Sequence, residues 1–560
     1  MKLLESRRLT GPNLLLDRAG AVIEVSLEAG ESEPAVAAWR EQARRMLDAV
    51  GWSGEEIAVR TFPGGASLAI SAPLDCLYAA TEVNEWAWAA AEAGLEGAVP
   101  NIAVGRDALR EAIAHEANPP LLALRDAARA RGVAFLSDAS EASVGLGTGS
   151  LTWPVTALPD PESIDWSEVH DVPVLLVTGT NGKTTTVRLA AAMVTAAGMV
   201  PGITSTDRIE VGGEVIERGD FSGPGGARTV LRDRRVEVAV LETARGGILR
   251  RGLAVDRADA ALVTNIAADH IGDYGIHDLP TLAAVKLVIA RAVRPDGRVV
   301  LNADDPELAA AASQVTAPVV WFTLDRDNPL VLDHLAAGGE ATYLEDGMLI
   351  LDRGGERIPI VRAEEIPTAF GGVARHNLAN SLAAIGLAAG LGLPVKATAA
   401  GLRQVKSTPE DNPGRANLIK WYGVRILIDY AHNPHGITAL LDLAQALPAK
   451  RRLLVIGQAG DRSDEAIRDL ARAAWELRPD HVVVKELPEL LRGRQPGVVP
   501  VLIEDELLHL GMPPRGLARA ASELEAVRQA LAWAQSGDLL VLLVHTQRDQ
   551  VLELIRTTRP

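Results

Sequence analysis

The segment VTGTNGKTTT at residues 177–186 puts glycines, a lysine and hydroxyl side chains in an order suited to binding phosphate. An apolar run, VPVLLVTG (172–179), leads into it, and a helical pattern, KTTTVRLAAAMVTAAG, leads out. A helix N-terminus after a glycine turn offers unpaired N–H groups and a partial positive charge to an anion. The common phosphate loop has four residues between its first Gly and Gly-Lys-Ser/Thr. Here only Thr180 and Asn181 separate Gly179 from Gly182-Lys183-Thr184. The expected chemistry is nucleotide binding. Backbone from Gly179, Thr180, Asn181, Gly182 and Thr185 would approach the phosphates, Lys183 would supply charge, and the Thr184 hydroxyl would reach Mg²⁺. The alternative is a glycine-rich turn with no ligand.

The elements that must position this loop are legible as patterns. VEVAVLE (236–242), ADAALVTNI (258–266) and GRVVLNADD (297–305) are continuous apolar runs separated by Ala-rich helical stretches. Such runs suit strands buried on both faces, and their alternation with helices predicts a doubly wound parallel sheet. GVRILIDYAH (423–432), RRLLVIG (451–457), DHVVVKE (480–486) and GDLLVLLVH (537–545) predict a second, Rossmann-like α/β unit. The first part of the chain reads as mixed α/β, with AVIEVSLE (21–28) alternating like a half-buried strand. TWPVTALPDPESIDWSEVHDVP (152–173) is rich in Pro and Asp and reads as a linker. The choppy region 325–368 suggests a small β excursion. The fold class is α/β. The expected domains are 1–155, a linker at 156–172, a central P-loop domain at 173–410 and a C-terminal domain at 411–560.

Composition narrows the function classes. The 560 residues are 48% hydrophobic and 23% charged, ordinary for a globular protein. A net charge of −17 argues against a nucleic-acid or membrane-surface partner. The single cysteine, Cys76, excludes an internal disulfide and a Cys-rich zinc site. The N-terminus lacks the apolar run of a signal peptide, and no run is long enough to span a bilayer. A cytoplasmic protein is expected.

The shortened loop resembles the ATP loop of the Mur ligase superfamily, and further segments carry the same resemblance in order. They are TNIAADH (264–270), NADDP (302–306), GGVARHNLANSLAA (371–384), NPGR (412–415) and DYAHNP (429–434). VLETARGGILRRGL (240–253), GDRSDEAIRDL (460–470) and RGR (492–494) are similar to the Mur-type half of cyanophycin synthetases. RLTGPN (8–13) and SVGLGTGS (143–150) resemble the opening and closing segments of that family's N-terminal domain. The family carries an ATP-grasp domain between these parts. Here residues 152–173 run directly into the phosphate loop and leave no room for one.

The resemblance implies an ADP-forming ligase that joins an amino-acid amine to an acidic small-molecule or peptide-like substrate through an acyl phosphate, using ATP and Mg²⁺. A polyglutamate-type ligase and an inactive nucleotide-binding scaffold are the alternatives. The resemblance also implies a homo-oligomer, and it assigns roles. Lys183 contacts the β- and γ-phosphates, and Thr184 and Glu242 hold the first Mg²⁺. His270 helps hold a second. Lys286 lies where several members carry a carbamylated lysine; a lysine snorkelling from an amphipathic helix is the other reading. Asn302, Asn377 and Asn380 lie around adenine and phosphates. Arg415, Asp429 and His432 reach the nucleotide from the C-terminal domain on closure. Arg245 and Arg250 suit either a substrate carboxylate or surface ion pairs. Asp461, Asp464 and Glu465 are candidates for an acceptor pocket that takes a cationic amine. In the N-terminal domain, HE (115–116) lacks the second His of a zinc motif. Trp39, Trp52, Trp86 and Trp88 read as core, and the domain as a docking or oligomerisation module.

Overall fold

The computed structural model describes residues 1–559. Its centre is an eleven-stranded sheet. In spatial order the parallel strands are Pro201–Thr204, Val238–Glu242, Val174–Thr178, Ala258–Val263, Val293–Asn302, Val319–Thr323 and Glu340–Glu345. Every residue of Val174–Thr178 and Val238–Glu242 is buried, because helices cover both faces of the sheet. The three innermost strands end at one edge, where Thr178, Glu242 and Val263 lead into the loops that form the site. The choppy 325–368 region holds the expected β excursion, which continues the central sheet. Met348–Arg353 and Glu356–Arg362 extend the same sheet as antiparallel strands.

The C-terminal unit is a six-stranded sheet. The antiparallel edge strand Asn417–Trp421 precedes Val424–Asp429, and four further parallel strands follow in space. Beneath its carboxyl edge lies a buried ion pair between Lys485 and Glu523. Glu523 also accepts hydrogen bonds from the amides of His545 (2.6 Å), Thr546 (2.7 Å) and Gln547 (2.7 Å). It thereby pins the loop that follows strand Leu539–Leu543.

The N-terminal unit pairs a four-stranded antiparallel sheet with helices Ser32–Val50 and Leu77–Leu95. Trp39 and Trp88 are fully buried there, and Trp52 and Trp86 pack on the same core. Glu116 accepts from the amides of Tyr78 and Ala79 at the start of helix Leu77–Leu95, a capping role. The stretch expected to be a linker is packed instead. Leu158, Ile164 and Trp166 lie against a cluster built on Leu121 and Leu124, because its apolar residues are spaced between the prolines and aspartates. The motifs at both ends of the unit are joints to the central domain. Thr10 N–H donates to Arg251 O (2.7 Å), Leu253 N–H to Pro12 O (2.7 Å) and Thr148 N–H to Val236 O (2.9 Å). Among the described residues no helix is long and apolar enough to cross a membrane.

The Lys485–Glu523 pair yields a stability prediction. Burial would push the Glu523 carboxyl up, but the charge of Lys485, then that of His545, and the hydrogen bonds outweigh it and hold the group at about 2, below its ordinary 4.5. A depressed carboxyl contributes stability that is fully present above the ordinary value and is lost as pH falls through the folded one. Glu523→Gln leaves Lys485 buried without a counter-charge and should cost about 3–5 kcal/mol in urea unfolding at pH 7. It should also flatten the acid limb of the stability profile. An unchanged limb would contradict the assignment.

Candidate active site

The loop after Val174–Thr178 turns through two left-handed glycines, Gly179 (φ 146°) and Gly182 (φ 88°), before helix Lys183–Ala196 begins. A Cβ on Gly179 would overlap the Thr264 hydroxyl, and one on Gly182 the Asn380 side-chain oxygen. Close approach and positive φ together require glycine at both positions. Lys183 Nζ donates to the carbonyls of Gly179 and Thr180, each at 3.0 Å, and so lies folded over the loop. Thr180 Oγ1 accepts from Ala267 N–H (3.0 Å), and Asn181 N–H donates to the Asn265 side chain (2.9 Å). The TNIAADH segment therefore braces the phosphate loop.

Glu242 is 2% exposed. Its Oε2 accepts from Thr184 Oγ1 at 2.8 Å, while Oε1 has no hydrogen-bond partner. Burial pushes the carboxyl up, opposed by the Lys183 charge and the Thr184 hydrogen bond. An orphaned carboxylate oxygen beside a threonine hydroxyl at a phosphate loop is a donor set that fits Mg²⁺. Thr184 Oγ1 lies 3.2 Å from Thr206 Oγ1, to which Arg415 donates at 3.4 Å. A polar chain thus runs from the phosphate loop to the C-terminal domain.

A cleft of about 1160 Å³ lies between the two domains. The central domain lines it with the loop residues 180–185, Glu242, Asn302, Asn377 and Asn380. Arg415, Asp429, His432 and His545 line it from the C-terminal side. Asn380 donates to Asn377 Oδ1 (3.1 Å) and Asn377 to Thr368 O (2.8 Å), so the pair is fixed beside Gly182. Asn302 donates to Thr264 O at 3.0 Å. Arg415 lies over the Tyr430 ring at 4.8 Å. Asp429 accepts from the amides of Ala416 and Ala431, each at 2.7 Å, and so shapes its own loop as well as facing the cleft. Asn181 and Asn433 exchange side-chain hydrogen bonds at 3.1 and 3.2 Å across the domain boundary.

His270 and Lys286 do not line this cleft. His270 Nε2 accepts from Arg462 at 3.1 Å while Nδ1 faces Asp273 (3.2 Å), and burial pushes the imidazole below its ordinary value. The lone pair that a metal would use is taken by Arg462. Among the described residues no group of three or more His, Cys, Asp or Glu side chains is placed to hold a metal. The donor set therefore does not fit a second ion at His270 in this arrangement. Lys286 is 4% exposed on helix Leu279–Arg291, so it does not snorkel to solvent. Burial, then the charge of Lys183, pushes its ammonium well below the usual lysine range.

Several expectations resolve into ion pairs. Arg245 donates to His270 O (2.7 Å) and pairs with Asp273 (3.0 Å), and Arg250 donates to the Tyr274 hydroxyl (2.6 Å). Arg245 takes the ion-pairing role, while Arg250 is held by a hydrogen bond to a tyrosine hydroxyl and forms no ion pair. Asp461 pairs with Arg492, Asp464 with Arg494 and Glu465 with Arg472. The acidic candidates for a cationic acceptor are thus neutralised, two of them by the RGR segment. The residue between them, Arg462, instead reaches across to the central domain. It donates to Asp269 at 2.9 Å, and His432 Nε2 lies 3.4 Å from the same carboxylate. Burial would raise Asp269. The hydrogen bond and charge of His432, then His270 and Arg462, hold it well below the carboxylate range instead. Asp269 and Arg462 form a bridge between the two domains that sequence reading passed over, although both lie inside motifs it singled out.

Two family models match in chain order. They are the Mur ligase middle domain over 177–388 and the Mur ligase glutamate ligase domain over 414–543, between them more than half of the chain. The chain belongs to the Mur ligase family. Within it the chain is 40% identical to cyanophycin synthetase of Trichormus variabilis over 372 residues, 66% of this chain and 41% of that protein. It is 40% identical to that of Synechocystis sp. over 389 residues, 70% and 44% respectively. The chain therefore spans less than half the length of either synthetase. A UDP-N-acetylmuramoyl-L-alanyl-D-glutamate–2,6-diaminopimelate ligase of Geobacter metallireducens is 27% identical over 68% of the chain and 79% of that protein. In fold, the structure is similar to E. coli FolC in complex with ADP, with a TM-score of 0.51 at 21% identity over 69% of this chain and 89% of that one.

Glu242 generates a test without nucleotide. A carboxyl with a raised folded pKa binds its proton more tightly in the folded state, so its ionisation costs stability as pH rises through that value. Glu242→Gln keeps a partner for Thr184 and removes the charge. It should raise the unfolding free energy at pH 7. A loss of stability would mean that the carboxylate is already compensated.

Proposed function

We propose that the chain is an ATP-dependent, ADP-forming ligase that joins an amino-acid amine to a carboxylate through an acyl phosphate. The observation that carries this reading is the convergence on one cleft of a glycine phosphate loop, an orphaned buried carboxylate at Glu242, and Arg415 and His432 from the opposite domain.

In this reading the backbone of residues 179–185 takes the ATP phosphates, and Lys183 moves from the loop carbonyls onto them. Thr184 and Glu242 would hold Mg²⁺, which supplies charge neutralisation on the phosphates. Asn302, Asn377 and Asn380 line the nucleotide side of the cleft. A substrate carboxylate oxygen attacks the γ-phosphorus and the bond to the ADP oxygen breaks. The amine then attacks the acyl carbon, inorganic phosphate leaves, and the amine loses a proton. Arg415 stabilises the transferring phosphoryl group, and domain contact excludes water from the intermediate.

Lys286 is proposed to be carbamylated. Burial first, then the charge of Lys183, disfavours an ammonium there; Asp269 opposes this and Arg245 adds to it, so the neutral amine is favoured. A neutral amine is also the form that reacts with carbon dioxide. Protein equilibrated with ¹³C-bicarbonate should give a carbamate carbonyl resonance that is absent from Lys286→Arg. No difference between the two proteins would remove this assignment.

The activity itself is tested by ADP release with product mass analysis over a matrix of acids (aspartate, glutamate, β-linked Asp dipeptides, poly-aspartate) and amines (arginine, lysine, other amino acids). Release should require one acid and one amine, and the product should weigh their sum less water. Lys183→Ala should lower the rate about 10²–10³-fold. Products with more than one addition would favour a polyglutamate-type ligase. Nucleotide binding without turnover for any pair would favour a scaffold.

A further inference from the structure

Asp269 and His270 open a short loop, 269–277, whose backbone is held in an unfavourable shape. His270 (φ 55°), Gly272 (φ 102°), Tyr274 (φ 54°) and Gly275 (φ 66°) are all left-handed. Two of these carry large side chains, and such a backbone persists only where its surroundings hold it. Part of the hold comes from the loop's own domain, through Arg245 and Arg250.

The rest comes from the N-terminal sheet. Arg60, in strand Ile57–Phe62, donates to the carbonyls of Tyr274 and Gly275 (2.9 Å to the latter). The Phe62 ring packs on Gly275, where a Cβ would overlap it, and lies 5.9 Å from the His277 ring. Arg60 is itself fixed. It donates to Ser67 Oγ (3.0 Å), Ser67 donates to Glu24 (2.8 Å), and Glu24 pairs with the buried Arg7 (2.8 Å). The Arg7 guanidinium returns to the loop, 4.9 Å from the Tyr274 ring centre. A buried network of paired charges of this kind is costly to break at one member. It ends on the loop whose first residues meet Arg462 and His432 of the C-terminal domain.

We infer that the N-terminal domain is a working part of the ligase site, with Arg60 as a positioning residue that holds loop 269–277 in register for Asp269 and His270. The kinetic arm of this inference rests on the proposed ligase activity; the structural arm does not.

The test uses the full chain as wild type, Arg60→Ala, Arg60→Lys and a control, Arg44→Ala. Arg44 bonds the carbonyls of Ser53 and Glu55 within the N-terminal domain. Hydrogen–deuterium exchange is measured with Mg²⁺ and ADP present, then kcat and KM for ATP with whichever acid–amine pair turns over. In Arg60→Ala, peptides covering 270–277 should exchange about tenfold faster or more, while the phosphate-loop helix and N-terminal sheet stay unchanged. kcat should fall by a similar factor with KM for ATP within about twofold. Arg60→Lys should restore part of both, and Arg44→Ala should alter neither. Unchanged exchange at 270–277, or faster exchange with normal kcat, would overturn the inference. So would a loss spread equally over the N-terminal sheet, kcat and KM. If no pair turns over, the ligase reading fails by itself, and exchange still decides whether Arg60 holds the loop.

Discussion

The carboxylate of Asp269 is the interaction on which the rest of the site depends. Its side chain is only 15% exposed, yet it stays ionised because His432 and Arg462 meet it from the other domain. Breaking such a pair strands a buried charge, so the two domains are coupled at this point more tightly than by apolar contact alone. The same loop braces the phosphate-binding turn through Ala267 and Asn265. One segment therefore sets the phosphate loop, the domain contact and the shape of the cleft.

The electrostatics of the cleft follow a simple logic. Cations border a space that suits an anion: Lys183 over its own loop and Arg415 on Thr206. Glu242 is buried with one oxygen unmatched, a cost that a bound cation would relieve. Pre-set dipoles and charges of this kind act most strongly where water is excluded, which is what contact between the domains provides. The pinning of residues 545–547 by Glu523 keeps the far wall of the cleft in place.

Much of this was legible in the chain. The apolar runs at 172–179, 236–242 and 258–266 are the buried parallel strands, because helices on both faces leave no solvent side to alternate with. The shortened glycine loop reads directly, since Gly179 and Gly182 answer to local backbone geometry and close packing. Charge pairing was less accessible. Nothing local says that Asp461 and Asp464 are spent on Arg492 and Arg494 some thirty residues away, or that Arg462 between them crosses to Asp269. The packed linker was hidden for a related reason: its prolines and aspartates mark turns, but Trp166 and Ile164 find their partners only in three dimensions.

The central claim is that nucleotide phosphates bind on the 179–185 loop within a cleft completed by the C-terminal domain. A crystal structure with Mg²⁺ and a non-hydrolysable ATP analogue tests it most directly. The account predicts phosphates on the loop amides, Lys183 withdrawn from the Gly179 and Thr180 carbonyls, metal density against Thr184 and Glu242, and Arg415 facing the nucleotide from across the cleft. Phosphates placed elsewhere, or Lys183 still bonded to those carbonyls with Glu242 unchanged, would contradict it.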